Sequence, residues 1–436
     1  MKAVQSWGRV CASSPLAVRA VPDLGVAQAL VTGGGAGLPM LAHGRGRSYG
    51  DVCLNSGGMI LRTTGLDRFI AFDRSSGVLR CEAGVTLQHI LELCVPMGWF
   101  LAVTPGTRDV TVGGAIANDV HGKNHHWAGS FAHHVTRLEL LRSSGERIVC
   151  SPDERPDLFS ATVGGLGLTG LITWAEIELQ PVANAFMTVQ TTRFSNLETF
   201  WRLNAAAEAS WPYTVAWIDC LARGGQRGRG VFMAGRHAAM QQSLPAWQES
   251  RRTIPLDPPI SLVNSLSLRA FNTFYWHGAR DGVALSHYVP YFYPLDAIAN
   301  WNRIYGRRGF FQYQCVLPPA TMRAGVDALL QRISRSGQGS FLAVLKTFGH
   351  RPSLGMLSFP RPGATLALDF PNHGRATLRL LDDLDAVVSQ AGGALYPAKD
   401  ARMSSTMFRQ SFAAWEQFSS FVDPAFSSDF WRRVTH

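Results

Sequence analysis

Lysine is nearly absent from this chain of 436 residues: Lys2, Lys123, Lys346 and Lys399 are the only ones among 41 basic residues. The rest are arginine. A bias of this kind also follows from nucleotide composition. A guanidinium, however, does not replace an ammonium where a compact, titratable charge is needed, so the retained lysines are candidates for chemistry. Acidic residues are also few, 31 in all, leaving a formal charge of +10 that suits an anionic partner or a membrane surface. No apolar run approaches the ~20 residues of a membrane span. The seven cysteines are odd in number and form no CxxC pair. They read as reduced thiols in a cytosolic or inward-facing protein, with no structural zinc. Near the N-terminus, Ser and Cys interrupt the apolar run after Lys2 and Arg9, which argues against a secretory signal. No phosphate-binding GxxxxGK[ST] loop occurs.

What is present is a globular chain, 46% hydrophobic, with 43 glycines and 23 prolines scattered without period. No internal repeat is visible. Between about 25 and 180, short apolar runs alternate with glycine-rich turns. Leu61–Leu79 reads as strands around a turn, Thr86–Met97 and Asp157–Val163 as helices, and Gly170–Leu179 as a strand. This is α+β texture rather than regular βαβ. After Pro181–Asn184 the composition turns aromatic. There Tyr288–Tyr293, Phe310–Leu317, Phe341–Phe348 and Ala364–Phe370 read as strands, with helices near 321–335 and 375–390. A second α+β region built on an antiparallel sheet is expected.

Four stretches carry chemistry. In Gly44–Gly50, glycines at 44, 46 and 50 allow a tight turn and close approach to a ligand, although a plain surface turn has the same composition. In Pro105–His126, Gly113 and Gly114 open onto Ala115 and Ala117, which admit something flat or extended. His121, Lys123, His125 and His126 follow. His121 and His125 have the spacing of two metal ligands on one helix turn, but the zincin glutamate is missing and Gly122 opposes a helix. Gly164–Gly170 contains GxGxxG, yet it follows a helix and precedes a strand, the reverse of a dinucleotide fingerprint. In Phe310–Val316 the period of two places Gln312 and Gln314 on one face, as recognition of a polyhydroxylated ligand or a solvated sheet requires. Lys346 lies in an otherwise apolar run and needs a partner or ligand. Lys399 and Asp400 are either a surface ion pair or part of a functional loop.

Together these motifs resemble the flavin-dependent oxidases of the vanillyl-alcohol oxidase class. Within it they are similar to the decaprenylphosphoryl-β-D-ribose 2′-oxidase family, carried by Gly44–Gly57, Pro105–His126, Gly129–Phe131, Val163–Gly170, Phe311–Gln314, Leu345–Lys346, Asp369–Pro371 and Tyr396–Asp400. The resemblance implies an α+β fold: a two-part FAD-binding domain of the PCMH type, residues 1–184 and 394–436, with a substrate domain, 185–393, inserted between them. It implies FAD held without a covalent bond, because Arg47 stands where covalent relatives carry histidine. Cofactor contacts are then expected from Gly44, Arg45, Gly46, Arg47, Ser48 and Tyr49. Gly106, Thr107, Thr111, Gly113, Gly114 and Ala117 would follow, then Asn118, His121, Gly122 and Asn124, and lastly Gly167, Gly170 and Lys399. Lys399 and His121 become the catalytic candidates, while Gln312, Gln314, Lys346, Tyr49 and Trp217 would line the sugar pocket. No metal is expected.

The implied reaction turns the 2′-hydroxyl of a polyprenyl-phosphoryl ribose into a ketone, in cell-envelope polysaccharide synthesis. The alternative is an alditol or aldonolactone oxidase. Implied partners are a glycosyl-phosphate or polyol substrate and a short-chain reductase that completes an epimerisation. The place is the cytoplasm, peripheral at the inner membrane. Mycobacterial members carry a cysteine two residues before the aspartate of Asp-Phe-Pro, where covalent inhibitors attach; here it is Ala367. Arg223, Arg227 and Arg229 suit a phosphate headgroup or a membrane surface, or simply solvent. The charge would also fit a nucleic-acid-binding protein, but no such motif is found.

Overall fold

The computed structural model describes residues 4–33, 37–240, 244–250 and 252–435, so Lys2 lies outside the described residues. The chain begins with three parallel strands, Met59–Arg62 lying between Ala17–Ala20 and Met40–His43. The helix Leu24–Thr32 crosses between the two outer strands, capped by the Asp23 carboxylate, which accepts from Val26 N at 2.9 Å. One βαβ crossover therefore exists where none was expected. It goes unnoticed in sequence because strands of four residues show no usable period.

A second, antiparallel sheet runs Arg147–Cys150, Val135–Leu141, Leu171–Pro181, Val78–Glu82 and Phe69–Asp73, with Trp99–Leu101 paired to the long strand Leu171–Pro181. Leu87–Cys94 is the expected helix, its first turn capped by Thr86, and Ile90, Leu91 and Cys94 are buried in the same core as Leu79 and Ile177. Pro156–Thr162 is helical as well.

The third sheet is the largest. Edge to edge it runs Gly282–His287, Phe186–Phe194, Gly230–His237, Tyr213–Ile218, Ala343–Phe348, Gly363–Pro371, Phe310–Leu317 and Ala394–Leu395, every neighbour antiparallel. The fold is α+β, as the motifs implied. The helices Met322–Ser336 and Arg375–Gln390 bury Leu329, Leu330, Leu380 and Leu384 in a core shared with Leu345, Leu366 and Leu368 of this sheet. Ala394–Leu395 pairs with Phe310–Leu317, so the sheet extends beyond residue 393 into the C-terminal segment.

Tyr288–Tyr293 is not a strand. The neighbouring strand ends at His287, and Tyr288–Phe292 is a short helix whose N-cap is His287, its ring nitrogen accepting from Val289 N. Pro290 has no N–H for a strand ladder but is tolerated in a first helical turn. An unbroken apolar run carries no period to separate the two.

Candidate active site

A cavity of about 670 Å³ lies between the glycine-rich segments and the large sheet, a size suited to a small-molecule site. On one side it is lined by residues 44–49, 104–123 and the loop before Leu171. Thr111 sets this wall locally: its hydroxyl accepts from Gly114 N at 3.1 Å and starts the helix Val112–Ala117, whose Gly113, Gly114 and Ala117 face the cavity. Gly167 has φ +76, a left-handed conformation, and a Cβ there would meet no neighbour within 4 Å. The absent side chain leaves room on the cavity side. Gly50 has another role. A Cβ on it would come 1.6 Å from the carbonyl oxygen of Asp400, so this glycine admits the C-terminal segment rather than a ligand.

The other wall is one face of the large sheet. Register alignment puts Gln312 opposite Asp369, Gln314 opposite Ala367, Val344 opposite Ala367, Lys346 opposite Thr365, and Trp217 opposite Val344. The period of two turns Trp217, Val344, Lys346, Thr365, Ala367, Gln312 and Gln314 to the cavity, and Leu345, Leu366 and Leu368 to the helices behind.

Between the walls stands His121. Its Nε2 lies 3.0 Å from Gln314 Nε2 and its Nδ1 lies 3.1 Å from Lys346 Nζ, which also donates to the Gly122 carbonyl at 2.6 Å. The ring is held edgewise by Phe348 at 4.8 Å and flanked by Tyr396 at 5.6 Å. Lys399 Nζ sits 4.0 Å from the centre of the Tyr49 ring. Burial lowers the Lys346 ammonium to about 7, with the charges of Lys123 and Lys399 acting the same way. Burial, then Lys346, hold His121 well below the ordinary imidazole range. Burial likewise pushes Lys399 down and Asp369 up, while their mutual attraction opposes both shifts.

The sequence candidates largely converge. Gly44, Gly46, Ser48, Tyr49, Gly106, Thr107, Asn118, Gly122, Gly170, Trp217 and Lys399 all line this cavity with those above. Arg45 and Arg47 line it too, but their guanidiniums are committed: both pair with Asp109, and Arg47 also lies 4.0 Å over the Trp7 ring. Asn124 is elsewhere, its amide donating to the Ala102 carbonyl at 2.8 Å in the protein interior. His121 and His125 do not share a helix, since the short helix begins at His125. His125 Nδ1 instead accepts from Gly349 N. Of the arginine loop, Arg223 donates to the Ser334 carbonyl, Arg227 pairs with Asp327 and Arg229 with Asp219, so their charges serve the fold.

Asp369, which the sequence marks only as part of Asp369–Pro371, belongs to the site. It is buried, accepts from Gln312 Nε2 at 2.7 Å, and its other oxygen has no partner among the described residues. Its signal was parity, two residues beyond Ala367 on the same strand face. Tyr396 was also overlooked as a site residue; its hydroxyl donates to the Asn118 carbonyl at 2.8 Å.

A family model described as FAD binding domain matches residues 24–151, which include the 44–50 and 105–124 segments. A decaprenylphosphoryl-beta-D-ribose oxidase of Mycolicibacterium smegmatis is 35% identical over 99% of this chain and 97% of its own. The chain belongs to that family. It is thus an FAD-dependent oxidoreductase. An uncharacterized protein of Streptomyces coelicolor is 34% identical over 80% of the chain and 100% of its own length. The human Delta(24)-sterol reductase shares 35% identity over only 25% of the chain. The cavity fits the cofactor: beside the space left at Gly106 and Gly167, the buried Asn118 Oδ1 and Gln312 Oε1 lack partners among the described residues. A ligand bearing N–H and O–H groups, as FAD and a sugar both do, would satisfy them.

Proposed function

We propose that this family member oxidises the 2′-hydroxyl of a polyprenyl-phosphoryl ribose to a ketone. The observation that carries this reading is the convergence of Lys399, Lys346, His121, Gln312 and Gln314 on one cavity, opposite glycine segments suited to a nucleotide. Gly44–Tyr49, Gly106–Ala117, Asn118, Gly122, Gly167 and Gly170 would hold the FAD. The proposed division is residues 1–184 and the C-terminal segment for the cofactor, with 185–393 for the substrate. Arg47, tied to Asp109 and Trp7, leaves FAD without a covalent tether.

Bound FAD supplies the two-electron acceptor for the hydride that leaves the carbinol carbon. Lys399 Nζ takes the hydroxyl proton as the C–O bond becomes a carbonyl, and burial favours the neutral amine this needs. Gln312 and Gln314 fix the ring hydroxyls. Gln312 is itself oriented by Asp369. His121, held between Gln314 and Lys346, keeps its neighbours in register without carrying charge. Phe348, Phe359 and Tyr396 pack around the His121 ring and fix its orientation.

The ketone would be returned to the epimeric alcohol by a short-chain reductase. The place is the cytoplasm, peripheral at the inner membrane; no helix among the described residues is long and apolar enough to cross it. The test is spectroscopic. Flavin bands at roughly 370 and 450 nm should bleach anaerobically with a short-prenyl ribosyl phosphate. Bleaching by an alditol or aldonolactone alone would sink the substrate assignment. Acid precipitation should leave the yellow colour in the supernatant.

A further inference from the structure

The helix Ser265–Gly278 is amphipathic the wrong way round. Its buried positions are Leu268 and Asn272, and Asn272 donates to Asp219 at 2.7 Å. Its outward face carries Leu266, exposed by 77%, Phe274, exposed by 78%, and beside them Phe271. A helix in water normally shows its polar side to solvent. The preceding loop repeats the pattern, with Leu256 exposed by 77% and Ile260 by 74%. Apolar surface this concentrated marks a binding face rather than ordinary exposure.

Two further observations say what covers it. The face is continuous with the cavity: the half-exposed Tyr275 lines the cavity and packs 4.5 Å from the Trp217 ring, and Ile298 is likewise both exposed and cavity-lining. Its charges without an ion pair are also of one sign. Arg269 and Arg280 are exposed and have no ion pair among the described residues. The nearby carboxylates Asp281 and Asp257 are taken by Arg193 and Arg9.

We infer that this face rests on a lipid surface carrying anionic headgroups, with Leu266, Phe274, Leu256 and Ile260 entering the acyl boundary. The cavity mouth then opens at the membrane, where an amphiphilic sugar phosphate presents its head. Arg269 and Arg280 meet the headgroups. This replaces the arginine loop 222–230 as the membrane contact, and it rests on the polyprenyl-phosphoryl substrate reading.

The experiment uses the flavin-loaded full chain in flotation with vesicles of phosphatidylcholine doped with phosphatidylglycerol. Wild type should float with the vesicles. A Leu266→Glu/Phe274→Glu variant should partition at least ten-fold less, with its visible spectrum and its turnover of a water-soluble short-prenyl ribosyl phosphate unchanged. Arg269→Gln/Arg280→Gln should weaken partitioning roughly three-fold, and only at low salt. Equal flotation of wild type and the glutamate variant overturns the inference, as does failure of wild type to bind. So does a dimer in sedimentation velocity that the glutamate variant splits, because the face is then a self-interface. If the soluble substrate fails to bleach the flavin, the substrate reading falls while flotation still judges the surface.

Discussion

The cavity and the periphery use positive charge in opposite ways. Every ion pair among the described residues has arginine as its cation, and many of them join segments distant in sequence. Arg433 joins Asp51 and Asp400, tying the C-terminal helix to the segment that carries Lys399. The three lysines of the described chain make no such pair. Lys123 donates to the Tyr291 carbonyl, Lys346 to the Gly122 carbonyl, and Lys399 faces the Tyr49 ring. A forked guanidinium locks two carboxylate-bearing segments; a buried ammonium outside any direct ion pair is available to a ligand and titrates below its ordinary range.

The sharpest way to break this contrast is at Lys399. Lys399→Ala should keep the flavin spectrum while kcat falls roughly a hundred- to ten-thousandfold. Lys399→Arg should not restore it. Wild-type turnover in either variant would remove the lysine from proton transfer. Next comes Arg433. Arg433→Met leaves Asp51 and Asp400 without their cation, and a urea melt should show a loss of about 3 kcal/mol. An unchanged midpoint would mean the arginine ties are decoration.

Lys346 gives a pH test. Burial brings its ammonium from 10.5 to about 7. Between those values the unfolded chain holds a proton that the folded one lacks, so stability rises with pH. Below the window the full cost of burying the charge remains. Lys346→Met should therefore exceed wild type in stability at pH 7. That advantage should shrink by up to about 1.4 kcal/mol per pH unit as pH rises, read from denaturant melts across the range. The smallest effect belongs to the partly exposed pair Arg227–Asp327. Arg227→Gln should cost less than about 1 kcal/mol.

Sequence pattern reached far in the large sheet. The strand Phe310–Leu317 and the helix near 375–390 are found where they were expected, because their periods of two and 3.6 are unbroken. The same parity placed Gln312 and Gln314 on one face. It failed at Tyr288–Phe292, where a wholly apolar run has no period. It also failed at the arginine loop, whose partners Asp327 and Ser334 lie about a hundred residues away. Asn124 looked like a cofactor residue because it stands among them, yet its amide faces a buried carbonyl.

The sequence by itself determined the family, the α+β class and the residue types at the cavity, since glycine runs and isolated lysines have local physical causes. Tertiary structure alone decided which of those groups meet. Lys346, His121 and Gln314 come from three distant segments, and only strand pairing and the packing of Val112–Ala117 bring their nitrogens within hydrogen-bond reach. It also decided that arginines tie segments together while Lys123, Lys346 and Lys399 line the cavity, because pairing depends on the distance between charges and not on their order along the chain.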